Sequence, residues 1–145
     1  AMFSVFKGVH ENVVVEGEDV MRLVTLRSHD QYNTTIYAMD DRYRGVFGRR
    51  DVLFMNEQDM AAQGLEHGDR VDIHTALPGS ELTLEDITVV AYGIAPGTVG
   101  AYYPEANVLV PLNYLDEESG TPSYKSVPVR LTLRSKEIRP LAGVR

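Results

Sequence analysis

The chain has 145 residues, 43% of them apolar and 24% charged, which suits one ordinary domain with a real hydrophobic core. Its net charge of −7 argues against a general nucleic-acid or anionic-membrane binder, which would need a basic field, but leaves room for one phosphate-bearing ligand held by local N–H donors. Cysteine is absent, so disulfides, thiolate nucleophiles and Cys-ligated zinc or iron–sulfur centres are excluded within these residues, which fits a cytoplasmic protein.

No apolar run approaches the roughly 20 residues of a membrane span, and the N-terminus lacks a signal-peptide layout. Ala1-Met2 reads as a cloning scar, with the natural chain expected to extend upstream. Residues 20–27 (VMRLVTLR) predict a buried strand. The polar run 28–35 (SHDQYNTT) follows, and residues 51–55 (DVLFM) predict a second strand. Asn56 is a good N-cap, Glu57 and Asp59 put negative charge in a first helical turn, and residues 60–63 (MAAQ) favour helix. Gly64 supplies a left-handed stop, Gly68-Asp69 a turn, and residues 71–73 a strand.

Beyond a Pro78-Gly79-Ser80 turn, residues 82–84 and 87–91 read as strands flanking a bend at Asp86. Ala95-Pro96-Gly97 and Val99-Gly100 punctuate the way to Tyr102-Tyr103-Pro104. Residues 108–110 (VLV) look like a short buried strand, and residues 117–123 like a loop. Val127, Val129, Leu131 and Leu133 alternate in a final strand, ahead of a polar tail at 136–145. Many short strands with few helices predict a barrel or sandwich, with no interior linker to divide the chain.

The segment Asn56-x-x-Asp59-x-Ala61-x-x-Gly64-Leu65-x-x-Gly68-Asp69-x-Val71 resembles the helix-and-turn unit of the molybdopterin-dinucleotide-binding domain found at the C-terminus of molybdenum and tungsten oxidoreductases. That family often places Pro directly after the Asn; Glu57 stands there instead, an equally sound choice beside a helix N-terminus. Two further stretches carry the likeness: residues 26–35, where the family ends a strand in a ligand-contacting loop, and residues 97–125, with Tyr102 to Asn107 and then Pro122-Ser123-Tyr124-Lys125. The string RSHDQYNTTIY resembles formate-dehydrogenase-like alpha subunits, and the similarity spans about residues 20–133 in the same order.

The resemblance implies a mainly β fold with short helices, a double-psi β-barrel of the aspartate-decarboxylase-like kind. It implies one domain over residues 1–145, a C-terminal fragment of a larger oxidoreductase whose remaining domains are its partners. The implied cofactor is bis-molybdopterin guanine dinucleotide with Mo or W, with any iron–sulfur cluster outside this fragment.

Such a ligand needs donors for its pyrophosphate and a polar cup for its base. Arg27 offers a guanidinium fork to a phosphate or pterin oxygen. Ser28, Gln31, Asn33, Thr34 and Thr35 carry neutral donors and acceptors. His29 suits a pterin or phosphate oxygen, and Asp30 an acceptor role toward guanine or the loop backbone. Tyr102 suits a pocket wall, while Asn107, Tyr124 and Lys125 sit where family members place cofactor contacts. Read without the family, residues 28–35 are a polar turn bonded to its own backbone, Asn107 has a backbone partner, and Lys125 is solvated. Asn56, Asp59 and Gly64 are cap and stop in either case.

The histidines at 10, 29, 67 and 74 show no metal-ligand spacing, and no catalytic motif occurs. The domain is therefore expected to bind and orient while the cofactor carries the redox chemistry. Two rival readings stay open: self-cleavage at Gly79-Ser80, as in the pyruvoyl-dependent aspartate decarboxylase, and a peptide-binding barrel without a redox role.

Overall fold

The computed structural model describes residues 17, 19–116, 119–136 and 144. Ala1-Met2, His10, Glu117, Glu118 and the predicted tail apart from Lys136 and Val144 lie outside the described residues. Six strands are β1 (Met21–Leu26), β2 (Val52–Met55), β3 (Arg70–Thr75), β4 (Thr83–Ala91), β5 (Thr98–Tyr102) and β6 (Val127–Ser135). They close a barrel in the order β1-β5-β2-β4-β3-β6. β1 runs parallel to β5, and β2 to β4; the other four seams are antiparallel. The chain is thus mainly β with few helices and forms a barrel, one of the two architectures its strand pattern predicts and the one the family resemblance implies.

Period-two alternation fills the interior. Leu23, Leu53, Met55, Val71, Ile73, Val89, Val99 and Val129 point inward into one cluster. A second cluster occupies the outer face of β2: Val52, Phe54, Val90 and Tyr102 pack there with Val46. All four residues of β2 are therefore buried, which accounts for its unbroken VLFM run. The cover comes from the long connection between β1 and β2, residues 27–51, which carries Val46.

Helix α1 (Glu57–Ala62) forms as its signals require. The Asn56 Oδ1 accepts the Gln58 N–H at 2.8 Å, while its Nδ2 donates to the Ile94 carbonyl at 2.9 Å. Asp59 accepts the Gly97 N–H at 2.7 Å, and Gly64 stops the helix at φ +66. These residues tie the helix to the turn that starts β5. They are fold residues.

Three segments depart from expectation. The two strands predicted around Asp86 are one, β4, with Asp86 at φ 60 and a register shift against β3 marking the bend as a bulge. Residues 98–102, expected as punctuation, form β5, which pairs with both β1 and β2. Gly100 lies within it to admit Leu26, whose Cδ1 would stand 2.7 Å from a Cβ built there. The predicted strand at 108–110 is instead the end of a 3-10 turn, Glu105–Leu109, in which Ala106 and Leu109 are buried three residues apart and Val108 is 49% exposed. Three apolar residues in a row do not by themselves distinguish strand from turn, and here one buried face per turn decides.

Replacing Gly100 with Val overfills the β1–β5 contact. Gly100→Val is expected to lower stability by about 1–3 kcal/mol, read from the midpoint of urea unfolding at unchanged slope.

Candidate functional site

One rim of the barrel gathers the predicted ligand residues. β1 and β5 end there side by side, with Leu26 opposite Tyr102, and β6 begins there, with Val127 opposite Leu23. Backbone bonds lock the rim: the Tyr103 N–H donates to the Leu26 carbonyl at 2.7 Å, and the Thr25 N–H to the Tyr124 carbonyl at 3.1 Å. Arg27, Tyr103, Tyr124 and Lys125 converge as a result. The Arg27 guanidinium lies 6.0 Å from the Tyr103 ring, Tyr124 meets that ring edge-on at 6.1 Å, and the Lys125 ammonium donates to the Thr25 carbonyl. Among the described residues neither cation has a carboxylate partner. Burial, and then the charge of Arg27, holds the Lys125 ammonium below the usual lysine range. Two like charges without a counterion favour an incoming anion.

The loop after β1 divides into an inner and an outer set. Gln31 spends its whole amide internally: its Oε1 accepts the Ser28 N–H and an Arg50 N–H, both at 3.1 Å, and its Nε2 donates to the carbonyls of Asn33 and Tyr103. Ser28 is buried, and its hydroxyl oxygen accepts from Arg50 at 3.0 Å. Residues 32 and 36 then bridge, so Asn33, Thr34 and Thr35 form an exposed tip with Asn33 at φ 53. Asp30 is exposed beside it.

Two buried charges absent from the predicted site organise this loop. Arg50, 5% exposed, grips Glu105 with Nε at 2.6 Å and Nη2 at 3.2 Å, and donates to the Tyr103 carbonyl at 2.7 Å. Its guanidinium lies between the rings of Tyr37 and Tyr102, at 4.1 and 4.7 Å. Asp41, 1% exposed, accepts from Arg44, from the Tyr102 hydroxyl at 3.0 Å and from His29 Nδ1 at 3.1 Å. Burial pushes the Asp41 carboxyl up, but the Arg44 and Tyr102 bonds, Arg44's charge and the His29 bond outweigh it and hold the group below the usual range. Burial and the Asp41 charge push the Tyr102 hydroxyl well above the ordinary tyrosine range.

Asn107 follows β5 on the 3-10 turn, and its Oδ1 is buried without a hydrogen-bond partner. It lines a cleft of about 480 Å³ between that turn and the β3–β4 hairpin, beside Ser80, Leu82, Val110 and Leu112. An orphaned acceptor costs about 1–3 kcal/mol unless a ligand or water supplies a donor. The unpaired cations, the polar tip and this acceptor fit a ligand carrying both phosphate and ring N–H groups.

The family model described as the molydopterin dinucleotide binding domain matches residues 21–128, from the start of β1 into β6. This chain belongs to that family. An uncharacterized oxidoreductase of Mycobacterium tuberculosis is 51% identical over 114 residues, covering 75% of this chain and 15% of the relative. Protein YdeP of Escherichia coli is 42% identical over 134 residues, covering 90% of this chain and 18% of that protein. This molybdopterin-dinucleotide-binding domain thus spans less than a fifth of the curated relatives it matches. Acetylene hydratase from Pelobacter acetylenicus shares the fold, with a TM-score of 0.56 at 14% identity over 78% of this chain and 18% of that one.

Within this molybdopterin-binding barrel, Arg27, Asp30, Asn33, Thr34, Thr35 and Lys125 lie exposed at the rim and Tyr124 is half-buried beside them. Ser28, Gln31 and Tyr102 face the protein interior through Arg50 and Asp41. The signal for the two missed charges is the run 40–51 (DDRYRGVFGRRD), charge-rich yet directly ahead of a strand buried on both faces.

Arg50→Ala leaves Glu105 without its partner and takes a donor from the Ser28 hydroxyl and one of two from the Tyr103 carbonyl, so a loss of about 3 kcal/mol is expected in urea unfolding. Arg50→Lys should recover only part of it, because an ammonium cannot reproduce the fork. Asp41 and Asp51 both titrate below their unfolded values in the folded chain. Their contribution is fully present above the unfolded carboxylate pKa of about 3.9 and is lost as pH falls through the folded values. Unfolding free energy measured against pH should hold steady down to about pH 4 and drop below it, less steeply in Asp41→Asn.

Proposed function

We propose that this domain clasps bis-molybdopterin guanine dinucleotide, carrying Mo or W, as the C-terminal part of a larger formate-dehydrogenase-like oxidoreductase. The observation that carries the reading is the rim itself, where Arg27 and Lys125 lie together without a counterion and Asn107 follows with an unmet acceptor. Arg27 and Lys125 take the pyrophosphate, and the tip residues Asn33, Thr34 and Thr35, with Asp30, offer donors and acceptors to the base and ribose. Asn107 accepts from a ring N–H. Ser28, Gln31 and Tyr102 act one layer behind, fixing the loop. The bound cofactor supplies the redox chemistry, and this chain supplies binding and orientation.

Tyr32, Ile36, Met39 and Tyr43 are exposed apolar side chains on the same connection. They suit a surface covered by the remaining domains of the oxidoreductase, which would also hold any iron–sulfur cluster.

Amide NMR during titration with GDP, with ADP as control, tests the clasp. Shifts confined to residues 27–35 and 107–125, and larger for GDP, are expected. Equal shifts for both nucleotides, or shifts centred on α1, would overturn the assignment and favour a peptide-binding barrel.

A further inference from the structure

His29 is the outlier in the β1–β2 connection. Its imidazole is 44% exposed at the ligand rim, yet its Nδ1 is tied to a carboxylate that is 1% exposed. The two oxygens of that carboxylate are divided. Oδ2 takes Arg44 and the Tyr102 hydroxyl, and Oδ1 is left to His29 at 3.1 Å. Two facing lone pairs would repel, so Nδ1 carries the proton and donates it to Oδ1. Arg44 Nη1 also reaches Nδ1, at 3.5 Å, a longer and weaker contact than the 3.1 Å one to the Asp41 carboxylate, so the shorter contact decides where the proton sits. The tautomer is thereby set: neutral His29 bears its lone pair on Nε2, and only the imidazolium bears an Nε2–H.

The ring plane is set as well. His29 lies against Tyr43 with centroids 4.3 Å apart, and Arg42 lies over the same Tyr43 ring at 4.9 Å. The charged groups around the imidazole are Asp41 and Arg44 on its Nδ1 side, Arg42 beyond Tyr43, and the chain neighbours Arg27 and Asp30. Asp41 and Arg44 already compensate one another, so a proton gained at Nε2 adds one net positive charge to a rim that already holds Arg27 and Lys125.

We propose that His29 is a proton-gated phosphoryl-binding group, positioned by Asp41, whose Nε2–H closes on a pyrophosphate oxygen of the ligand. This rests on the cofactor-clasping reading above and specifies how its phosphate end is held. The balance is one proton: neutral His29 takes it from solvent at Nε2 as the diphosphate binds and returns it on release. The imidazolium then donates from both nitrogens, to Asp41 on one side and to the phosphoryl oxygen on the other. Asp41 is the positioning residue and touches no ligand.

The test uses the 145-residue chain and GDP-mannose, a diphosphate diester that lacks the secondary phosphate ionisation of GDP. Nitrogen-15 NMR of the ring should first show the free protein's His29 as the Nδ1–H tautomer at about pH 8. Calorimetric titration should then give affinity about tenfold tighter at about pH 6 than at about pH 8, with proton uptake on binding. His29→Gln should bind equally weakly at both pH values; because it also removes the donor to Asp41 Oδ1, its urea midpoint should fall, and binding is compared without denaturant, where its amide spectrum shows the variant folded. Asp41→Asn should lose the fixed tautomer as well as most of the pH gradient; because it also strips Arg44 of its partner, His29→Gln decides the matter.

An Nε2–H tautomer, or a pH gradient that survives in His29→Gln, overturns the proposal. Binding with rim shifts but no pH gradient overturns it and leaves the cofactor clasp standing. No binding at any pH overturns both.

Discussion

A strand buried on both faces needs a cover, and most of this structure follows from supplying one to β2. Its outward residues Val52 and Phe54 cannot face water without exposing a large apolar area. The connection from β1 to β2 lies over them, bringing Val46 into the contact. That connection has few backbone ladders of its own, so side chains must hold it. Arg50 and Asp41 do so from inside, each with at least three partners. Buried charges cost several kcal/mol unless every donor and acceptor is met, which makes this network cooperative.

The same arrangement preorganises the ligand rim. Ser28 and Gln31 are consumed in bonds to Arg50 and to the rim backbone, so the loop does not need a ligand to order it. What remains outward is the tip at 33–35, with Asp30, His29, Arg27 and Lys125 around it. A loop that holds its shape before binding gives up less conformational entropy on binding.

Local signals were readable and distant ones were not. Asn56, Asp59 and Gly64 announce α1 because caps and stops act within a few residues. β6 announces itself by strict alternation. β5 does not, because Gly100 looks like a turn residue until Leu26, far away in sequence, is seen to occupy its missing side chain. The 3-10 turn at Glu105–Leu109 hides behind three consecutive apolar residues for a similar reason. In the site, the polar character of residues 27–35 and the family were legible from ordered motifs. The split between inward and outward side chains depends on Arg50 and Asp41, and nothing within residues 27–35 reveals it.

The placement of β1 has a consequence for how the domain comes into being. Arg22 pairs with Thr98 and Leu23 with Val127, so the first strand of the barrel finds its neighbours only in the last third of the described chain. During synthesis, β1 and the loop behind it would leave the ribosome long before either partner exists. The ligand rim of the barrel then gains its shape late, and a chain interrupted before β6 lacks the strand that joins β1 to β3 along with the inward Val127 and Val129. Formation of the binding edge is in this way coupled to synthesis of β6.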